Sequence, residues 1–273
     1  MTKPYRNMSS EKLEREYSPS SRIGGDYLPF IEQYIARSQN ARNTLPVQSN
    51  LCYGDTPAEV LDLFHPGGFR CPLHLFIHGG YWQELSHRES SSMAPVLLEQ
   101  GIALAALNYT LAPAASIDYM IAECQQAVQW LIMNANRLNI DANNLTISGH
   151  SAGAQLAVMS IIAWQKQGSD IIRHIRKVLL ISGIYDLTPL PLTSINGALG
   201  LDHEAATRLS PSHYAVKLDT RIEILVGELD TDEFKRQARE YYQQLKRHGT
   251  QVEFSELRGK NHFDIILAPI FDC

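Results

Sequence analysis

Residues 149–153 read Gly-His-Ser-Ala-Gly, with a serine between two glycines. An apolar, β-branched run at 145–148 precedes them, and an apolar stretch with helical spacing follows as far as Ile161. A serine at such a strand-to-helix junction is typical of a nucleophile elbow, whose strained turn lifts the hydroxyl out of the sheet. The turn also puts Ser151 at a helix N-terminus, where the dipole favours developing negative charge. Because short matches also arise by chance, this prediction depends on partners elsewhere in the chain.

A serine hydroxyl is a poor nucleophile at neutral pH, so it needs a base, and the base needs an orienting acid. In this architecture the order along the chain is serine, acid, histidine. Asp230 follows an apolar strand predicted at 222–226, and His262 follows the last predicted strand at 252–257. We therefore assign Asp230 as the orienting acid and His262 as the general base.

Other acids and histidines compete for these two roles. Asp232 is the nearest competitor and Glu228 is a poorer one. Asp230 is preferred because it lies in the strand-end loop, before the next helix begins. His248 is the rival histidine, but it ends a predicted helix just before Gly249, where a histidine interacts with the helix dipole.

The oxyanion of the tetrahedral intermediate needs backbone N–H donors. One donor is predicted to be Ala152, the residue after the nucleophile. The others are predicted to be Gly80 and Tyr81, in the loop after an earlier apolar strand that reads His-Gly-Gly-Tyr-Trp at 78–82. We interpret His78 as a structural residue that holds this loop by hydrogen bonds, and not as a base.

The remaining sequence alternates between apolar strands and amphipathic helices. This alternation predicts an α/β fold with a mostly parallel central sheet and helices on both faces, whose active residues lie at the carboxyl ends of the strands. We expect a single domain over 1–273, in which a helical segment at 1–45 and an excursion at 186–213 are candidates for a cap. The predicted strands are 60–64, 73–77, 102–108, 145–148, 178–182, 222–226 and 252–257, and the predicted helices after the N-terminal segment are 90–100, 117–138 and 232–248, with 27–42 inside it.

Composition limits the partners. A formal net charge of −5 gives no electrostatic case for nucleic acid, and no apolar run reaches the roughly 20 residues that span a bilayer. Residues 1–22 lack an apolar signal core, so we expect a cytoplasmic protein. Ten histidines without a ligand motif predict neither a metal nor another cofactor, and the scattered cysteines predict reduced thiols. The expected partner is a small-molecule substrate, and a homodimer is left open.

Several further motifs carry a family resemblance. The chain resembles the α/β-hydrolase superfamily in the branch related to hormone-sensitive lipase, and within it the kynurenine formamidase (arylformamidase) family. Many relatives have a third glycine where Tyr81 stands, and the N-terminal motif departs at Ile23, where a tryptophan is expected. The matching segments are 16–20 (Glu-Tyr-Ser-Pro-Ser), 78–82, 108–109 (Asn-Tyr), 182–187 (Ser-Gly-Ile-Tyr-Asp-Leu), 209–211 (Leu-Ser-Pro), 233–234 (Glu-Phe) and Gln237.

The resemblance implies hydrolysis of N-formyl-L-kynurenine to formate and L-kynurenine in tryptophan breakdown, through an acyl-enzyme on Ser151. It also implies that the N-terminal segment helps to build the pocket, with Tyr17 and Trp82 as substrate-binding residues. Tyr81 and Trp82 either stack on the aryl ring or pack within their loop. A carboxylesterase acting on small acyl or aryl esters would use the same parts, so it is the alternative function. An inactive hydrolase fold that only binds ligand is disfavoured by the intact serine, acid and histidine.

Overall fold

Strands rich in valine, leucine and isoleucine form the centre of the molecule, because such residues pack well on a sheet that is buried on both faces. The computed structural model describes residues 5–271. The strands are β1 (Val47–Cys52), β2 (Val60–Phe64), β3 (Cys71–Ile77), β4 (Ala103–Leu107), β5 (Ile140–His150), β6 (Ile175–Ile181), β7 (Arg221–Gly227) and β8 (Val252–Leu257).

These strands form one sheet in the order β1-β2-β4-β3-β5-β6-β7-β8. β2 is antiparallel to both β1 and β4, and every other neighbouring pair is parallel. The predicted fold class, a mostly parallel α/β sheet, is thus confirmed. Because β3, β5, β7 and β8 run in the same direction, their carboxyl ends lie at one edge of the sheet. The loops that carry Gly80, Ser151, Asp230 and His262 all leave from this edge.

Helices cover both faces of the sheet, and two apolar clusters lie between helices and strands. Alternate residues of a strand enter different clusters. Leu75 packs in one, with the helices at 117–133, 152–167 and 232–247, and Phe76 packs in the other, with the helices at 28–44 and 94–99. None of the helices within residues 5–271 is long and apolar enough to cross a membrane. The α-helices are α1 (Ser10–Glu16), α2 (Leu28–Thr44), α3 (Ala94–Glu99), α4 (Ile117–Met133), α5 (Ala135–Leu138), α6 (Ala152–Gln167), α7 (Asn196–Leu199), α8 (His203–Arg208) and α9 (Asp232–Arg247).

Several elements differ from the sequence prediction, among them one strand and two helices. β1 was not predicted, because its sequence is largely polar and exposed, as an edge strand can be. The helix predicted at 117–138 is interrupted at Asn134, which separates α4 from α5. The helix predicted at 90–100 begins only at α3, where Pro95 occupies the first turn.

The N-terminal segment and the excursion at 186–213 meet over the carboxyl edge of the sheet. The carboxylate of Glu14, in α1, accepts hydrogen bonds from the backbone N–H of Ser194, at 3.0 Å, and from its hydroxyl. Ser9 caps α1 by accepting a hydrogen bond from the N–H of Lys12 at 3.2 Å, which fixes where this helix begins. The two segments predicted as cap candidates are therefore in direct contact with each other.

The cysteines do not pair within the described residues. Cys52, Cys71 and Cys124 are free, and their strands and helix hold them in different parts of the fold. Cys273 lies outside the described residues.

Candidate active site

Ser151 occupies the turn between β5 and α6. Its backbone adopts φ 55° and ψ −117°, a positive-φ conformation that costs a non-glycine residue about 1–3 kcal/mol. The N–H of Ser151 donates to the carbonyl of Ile181 at 2.9 Å, which ties the turn to the end of β6. Its hydroxyl makes no hydrogen bond within residues 5–271. The strained turn therefore presents Ser151 Oγ at the carboxyl edge of the sheet with its hydrogen-bonding capacity unused.

The two glycines of the turn are required by close approach. A Cβ at Gly149 would lie 2.2 Å from the carbonyl oxygen of Gly153. A Cβ at Gly153 would lie 2.1 Å from the carbonyl oxygen of Ile77, at the end of β3. Contacts this short do not occur between real atoms, so a larger residue at either position would push α6 away from the sheet and move Ser151.

Asp230 and His262 form a buried acid–base pair beside this turn. His262 Nδ1 donates to Asp230 Oδ1 at 2.7 Å, and both side chains are at most 5% exposed. Because the carboxylate can only accept, the proton lies on Nδ1, which leaves Nε2 unprotonated in the neutral ring. Nε2 has no partner within the described residues, so it is available to take a proton from a hydroxyl.

The second oxygen of Asp230 is also occupied. Asp230 Oδ2 accepts hydrogen bonds from the Ser182 hydroxyl at 2.6 Å and from the N–H of Gly227 at 3.0 Å. Burial opposes ionisation of Asp230, but the adjacent His262 and these hydrogen bonds outweigh it and hold the pKa of the carboxyl below its ordinary value. The acid therefore remains ionised and fixed in orientation. Ser182 was not among the predicted site residues. It begins the segment 182–187 that matches the family, but that match does not indicate a contact with a carboxylate far along the chain.

Ser182→Gly is expected to lower kcat/KM about 10-fold. A hydrogen bond to a charged group contributes about 1.5–3 kcal/mol, and roughly 1.4 kcal/mol corresponds to a factor of ten in rate. Glycine is chosen because Ser182 has φ 46°, which glycine adopts without strain. Steady-state kinetics on an activated ester at neutral pH measures the effect, and wild-type kcat/KM in this variant would show that the Ser182 hydroxyl has no part in holding the acid.

The rival acids and the rival histidine lie outside this arrangement. Asp232 has a side chain that is 72% exposed and pairs with Arg22 at 2.8 Å. Glu228 is exposed and accepts from the N–H of Gly259 at 2.7 Å. His248 is exposed at the end of α9, where its Nδ1 contacts the carbonyl of Gln244 at 2.8 Å.

Two buried histidines lie near Ser151 without being placed to act as its base. His78 stacks on Tyr109 with ring centroids 4.2 Å apart, and its Nδ1 contacts the carbonyl of Gly79 at 2.9 Å. His150 Nε2 donates to the carbonyl of His262 at 2.8 Å. Burial lowers the pKa of His78 to about 4 and that of His150 to about 3. Groups with such a low pKa are weak proton acceptors, and their contacts support the loops around the site.

Three backbone N–H groups at the edge of the site lack acceptors. Within residues 5–271, the amides of Gly80, Tyr81 and Ala152 donate to no carbonyl or side chain. Ala152 is the first residue of α6, so its N–H has no partner inside the helix. Unpaired donors next to a serine hydroxyl are what an oxyanion hole requires.

The loop that carries two of these amides is strained and firmly held. Gly80, Tyr81 and Trp82 are consecutive left-handed residues, with φ values of 94°, 49° and 60°. The Trp82 indole donates to Gln155 Oε1 at 3.2 Å, and the Trp82 carbonyl accepts from the N–H of Ala112 at 2.8 Å. Strained residues of this kind persist only where the surrounding contacts determine their conformation.

A cavity of about 350 Å³ opens above Ser151 and His262. This volume lies within the range of small-molecule sites. No lysine or arginine is among the described residues that line it. The lining comes from the N-terminal segment, the loop after β3, the elbow, the excursion and the loop after β8, and comprises Glu14, Tyr17, Ser18, Pro19, Ser20, Tyr27, Ile31, Tyr34, Gly80, Tyr81, Gln83, Glu84, Leu85, His150, Ser151, Ser194, Ile195, His262 and Phe263.

The structure does not bring Trp82, which was predicted to bind substrate, to the cavity. Trp82 is fully buried and does not line the cavity, because its indole faces inward to Gln155. Tyr17 does line the cavity, but its ring is buried and its hydroxyl donates to Glu233 Oε2 at 3.3 Å and accepts from Gln237 Nε2 at 2.8 Å. The Tyr17 hydroxyl is thus engaged in contacts within the fold.

No group of three histidine, cysteine, aspartate or glutamate side chains among residues 5–271 is arranged to hold a metal ion. The site described above consists of a serine, a histidine, a carboxylate and backbone amides, which together can carry out acyl transfer with no further group.

The sheet order, with the serine, the acid and the histidine at the carboxyl ends of its strands, is that of the α/β-hydrolase class of enzymes. One solved structure superimposes on this chain with a TM-score of 0.84 and 28% identity, and the match covers 96% of this chain and 95% of that one. It is a protein from a Silicibacter species that is provisionally described as a thioesterase. Residues 61–245 match the family model described as BD-FAE.

The kynurenine formamidase of Danio rerio is 32% identical over 96% of this chain and 92% of its own length. The kynurenine formamidase of Salmo salar is likewise 32% identical, with the same coverage of 96% and 92%. The chain therefore belongs to the BD-FAE family and to the kynurenine formamidase family, the second of which the sequence motifs predicted.

Proposed function

We propose that the protein is an arylformamidase that hydrolyses N-formyl-L-kynurenine to L-kynurenine and formate, as part of tryptophan catabolism, with Ser151, His262 and Asp230 as a catalytic triad. The observation that carries the proposal is the paired His262 and Asp230 beside the strained Ser151, under one cavity, in a chain that matches kynurenine formamidases over nearly its whole length.

In the first step Ser151 Oγ attacks the formyl carbon while His262 Nε2 takes the hydroxyl proton. The carbonyl oxygen becomes an oxyanion, and the free N–H groups of Gly80, Tyr81 and Ala152 stabilise it. His262 then gives its proton to the departing nitrogen, the C–N bond breaks, and the aryl amine leaves. Asp230 stabilises the positive charge that His262 carries between these two proton transfers.

In the second step a water molecule attacks the formyl-serine ester. His262 takes a proton from this water, the same amides hold the second oxyanion, and His262 returns the proton to Ser151 Oγ as the ester bond breaks. Formate is released and the free serine is restored. An aryl amine is a better leaving group than an alkyl amine, and the alcohol or phenol of an ester is a better one than either. The same steps therefore also serve esters, which are the substrates of the alternative carboxylesterase function.

The cavity wall suits an aryl substrate with an ammonium group. The rings of Tyr27 and Phe263 stack with centroids 5.5 Å apart at its border, and they replace Trp82 as the aromatic surface for the substrate ring. Glu84, whose Oε2 accepts from the Tyr27 hydroxyl at 3.3 Å, places a carboxylate beside them. The amino-acid tail of formylkynurenine carries an ammonium group that such a carboxylate attracts.

We further propose that the N-terminal segment and the excursion at 186–213 cap this cavity, since Tyr17 and Ser194 both border it. Their mutual contact through Glu14 supports this proposal. We also propose that the protein is cytoplasmic and that its partner is a small-molecule substrate. Whether it forms a homodimer is left open.

Purified wild-type protein tests the function by its kcat/KM on N-formyl-L-kynurenine and on short p-nitrophenyl esters. For an arylformamidase we expect kcat/KM on formylkynurenine to equal or exceed that on the esters, although the ester has the better leaving group. Formanilide, an aryl formamide without the amino-acid tail, is the matched control for recognition of that tail. A kcat/KM on formylkynurenine far below that on the esters would overturn the formamidase assignment in favour of the carboxylesterase.

A further inference from the structure

The Tyr81 side chain links the loop after β3 to the N-terminal segment. Its hydroxyl donates to the backbone carbonyl of Tyr17, and its ring lies in an edge contact with Trp82, with centroids 6.0 Å apart. Tyr81 is also one of the strained left-handed residues of that loop, and its N–H is one of the free amides. Tyr81 thus has two roles: its N–H borders the reacting atoms, and its side chain anchors the loop at a point away from them.

The carbonyl that receives this anchor is itself immobilised. Tyr17 is fully buried, its N–H donates to the carbonyl of Leu13 at 3.0 Å, and its hydroxyl bonds both Glu233 and Gln237 on α9. Gln237 also accepts hydrogen bonds from the N–H groups of Tyr185 and Asp186, each at 2.8 Å. Tyr17 therefore offers a fixed acceptor to Tyr81.

Glu16 adds a second anchor on the acid side of the site. The Thr231 hydroxyl donates to the Glu16 carbonyl at 2.7 Å, and the N–H of Glu233 donates to Glu16 Oε2 at 3.2 Å. Thr231 directly follows Asp230 and caps α9. Glu16 and Tyr17, which we name the N-terminal brace, therefore connect the loop that carries the acid with the loop that carries two oxyanion donors.

We propose that the N-terminal brace is a positioning element for the oxyanion hole, and that Tyr81 is the positioning residue through which it acts. This inference rests on the proposed serine mechanism. A left-handed φ at a tyrosine is strained, so without the hydroxyl anchor the peptide at Tyr81 relaxes and its N–H turns away from the developing oxyanion. Because that charge exists only in the transition state, the loss falls on kcat and leaves KM unchanged.

Tyr81→Phe tests the proposal, since it removes the hydroxyl and keeps the ring and the amide. With p-nitrophenyl acetate as substrate we expect kcat to fall about 10-fold, part of the hundredfold or larger loss that follows complete removal of one oxyanion donor. KM is expected to stay within about twofold of wild type. Affinity for a trifluoromethyl ketone, which forms a tetrahedral adduct on the serine, is expected to fall with kcat, whereas affinity for an aryl amine product stays unchanged.

Tyr53→Phe is the matched control. Its buried hydroxyl also donates to a backbone carbonyl, that of Asn108 at 2.7 Å, but Tyr53 does not line the cavity. It is expected to keep wild-type kcat and wild-type affinity for the ketone. Equal kcat and equal ketone affinity in Tyr81→Phe and Tyr53→Phe, or a change confined to KM, would overturn the proposal.

Tyr17→Phe is the second variant, which decides the question if Tyr81→Phe does not fold. It keeps the Tyr17 carbonyl but removes the hydroxyl that fixes it, so we expect a smaller fall of about threefold in both kcat and ketone affinity. Wild-type values for both quantities would contradict the brace. Because these readouts use the ester, they stand apart from the proposed function, which fails only if the wild-type protein does not hydrolyse formylkynurenine efficiently.

Discussion

Ser151→Ala is expected to lower kcat by roughly a million-fold, to the background set by binding and the oxyanion donors. Without Oγ there is no nucleophile to attack the acyl carbon, and His262 has no hydroxyl proton to take. The loss is expected on formylkynurenine and on p-nitrophenyl acetate alike, because both substrates pass through the same acyl-serine. Burst kinetics measure the loss of turnover, since the variant should not turn over substrate. Intact mass after reaction with a phosphonate ester measures the loss of the nucleophile, since the variant should not gain the phosphonyl mass.

The control for this prediction is Ser160→Ala. Ser160 lies on the same helix, α6, and its buried hydroxyl donates to the carbonyl of Leu156 at 2.9 Å, away from the cavity. We expect it to keep wild-type kcat and to accept the phosphonate. Thermal unfolding shows whether Ser151→Ala retains the fold. A folded Ser151→Ala protein with near-normal activity would contradict the assignment of Ser151 as the nucleophile.

The parts of the site that could be predicted from the sequence depend on local geometry. The elbow requires glycines on both sides of the serine, because a Cβ at Gly149 or at Gly153 would lie 2.2 Å or 2.1 Å from a backbone carbonyl oxygen. This steric requirement leaves a pattern in a few consecutive residues. Asp230 and His262 could be assigned because β7 is largely apolar and β8 alternates apolar and polar residues, so both are recognisable as strands. The loops that follow them leave from the edge where Ser151 lies.

The parts that could not be predicted depend on contacts between distant segments. Ser182 supports Asp230 across 48 positions of the chain, and nothing near Ser182 in the sequence indicates this. Trp82 was expected to contact substrate, but the burial of its indole against Gln155 is decided by the packing of α6 under the loop. Tyr17 was predicted as a substrate-binding residue, whereas in the structure its carbonyl is the group that meets Tyr81. Sequence patterns indicate which residue types are near the site, but not which way each side chain turns.

Asp230→Asn is expected to lower kcat/KM by about 10⁴-fold at neutral pH, the loss that this change causes in other serine–histidine–acid triads. The direction of the effect follows from the donors around Asp230. The N–H of Gly227, at 3.0 Å from Oδ2, can only donate, so it requires an oxygen at that position of the asparagine. The amide NH₂ must then face His262. His262 Nδ1 becomes an acceptor, its proton moves to Nε2, and the ring can no longer take the proton of Ser151.

Asp232→Asn separates this explanation from a general effect of removing a carboxylate near the site. Its exposed pair with Arg22 is a surface ion pair, which contributes at most about 1 kcal/mol to stability, so we expect kcat/KM within twofold of wild type. Both variants are compared on formylkynurenine and on p-nitrophenyl acetate between pH 6 and 9, with unfolding by urea as the measure of integrity. A large loss of kcat/KM in Asp232→Asn, with a small loss in Asp230→Asn, would transfer the role of orienting acid from Asp230 to Asp232.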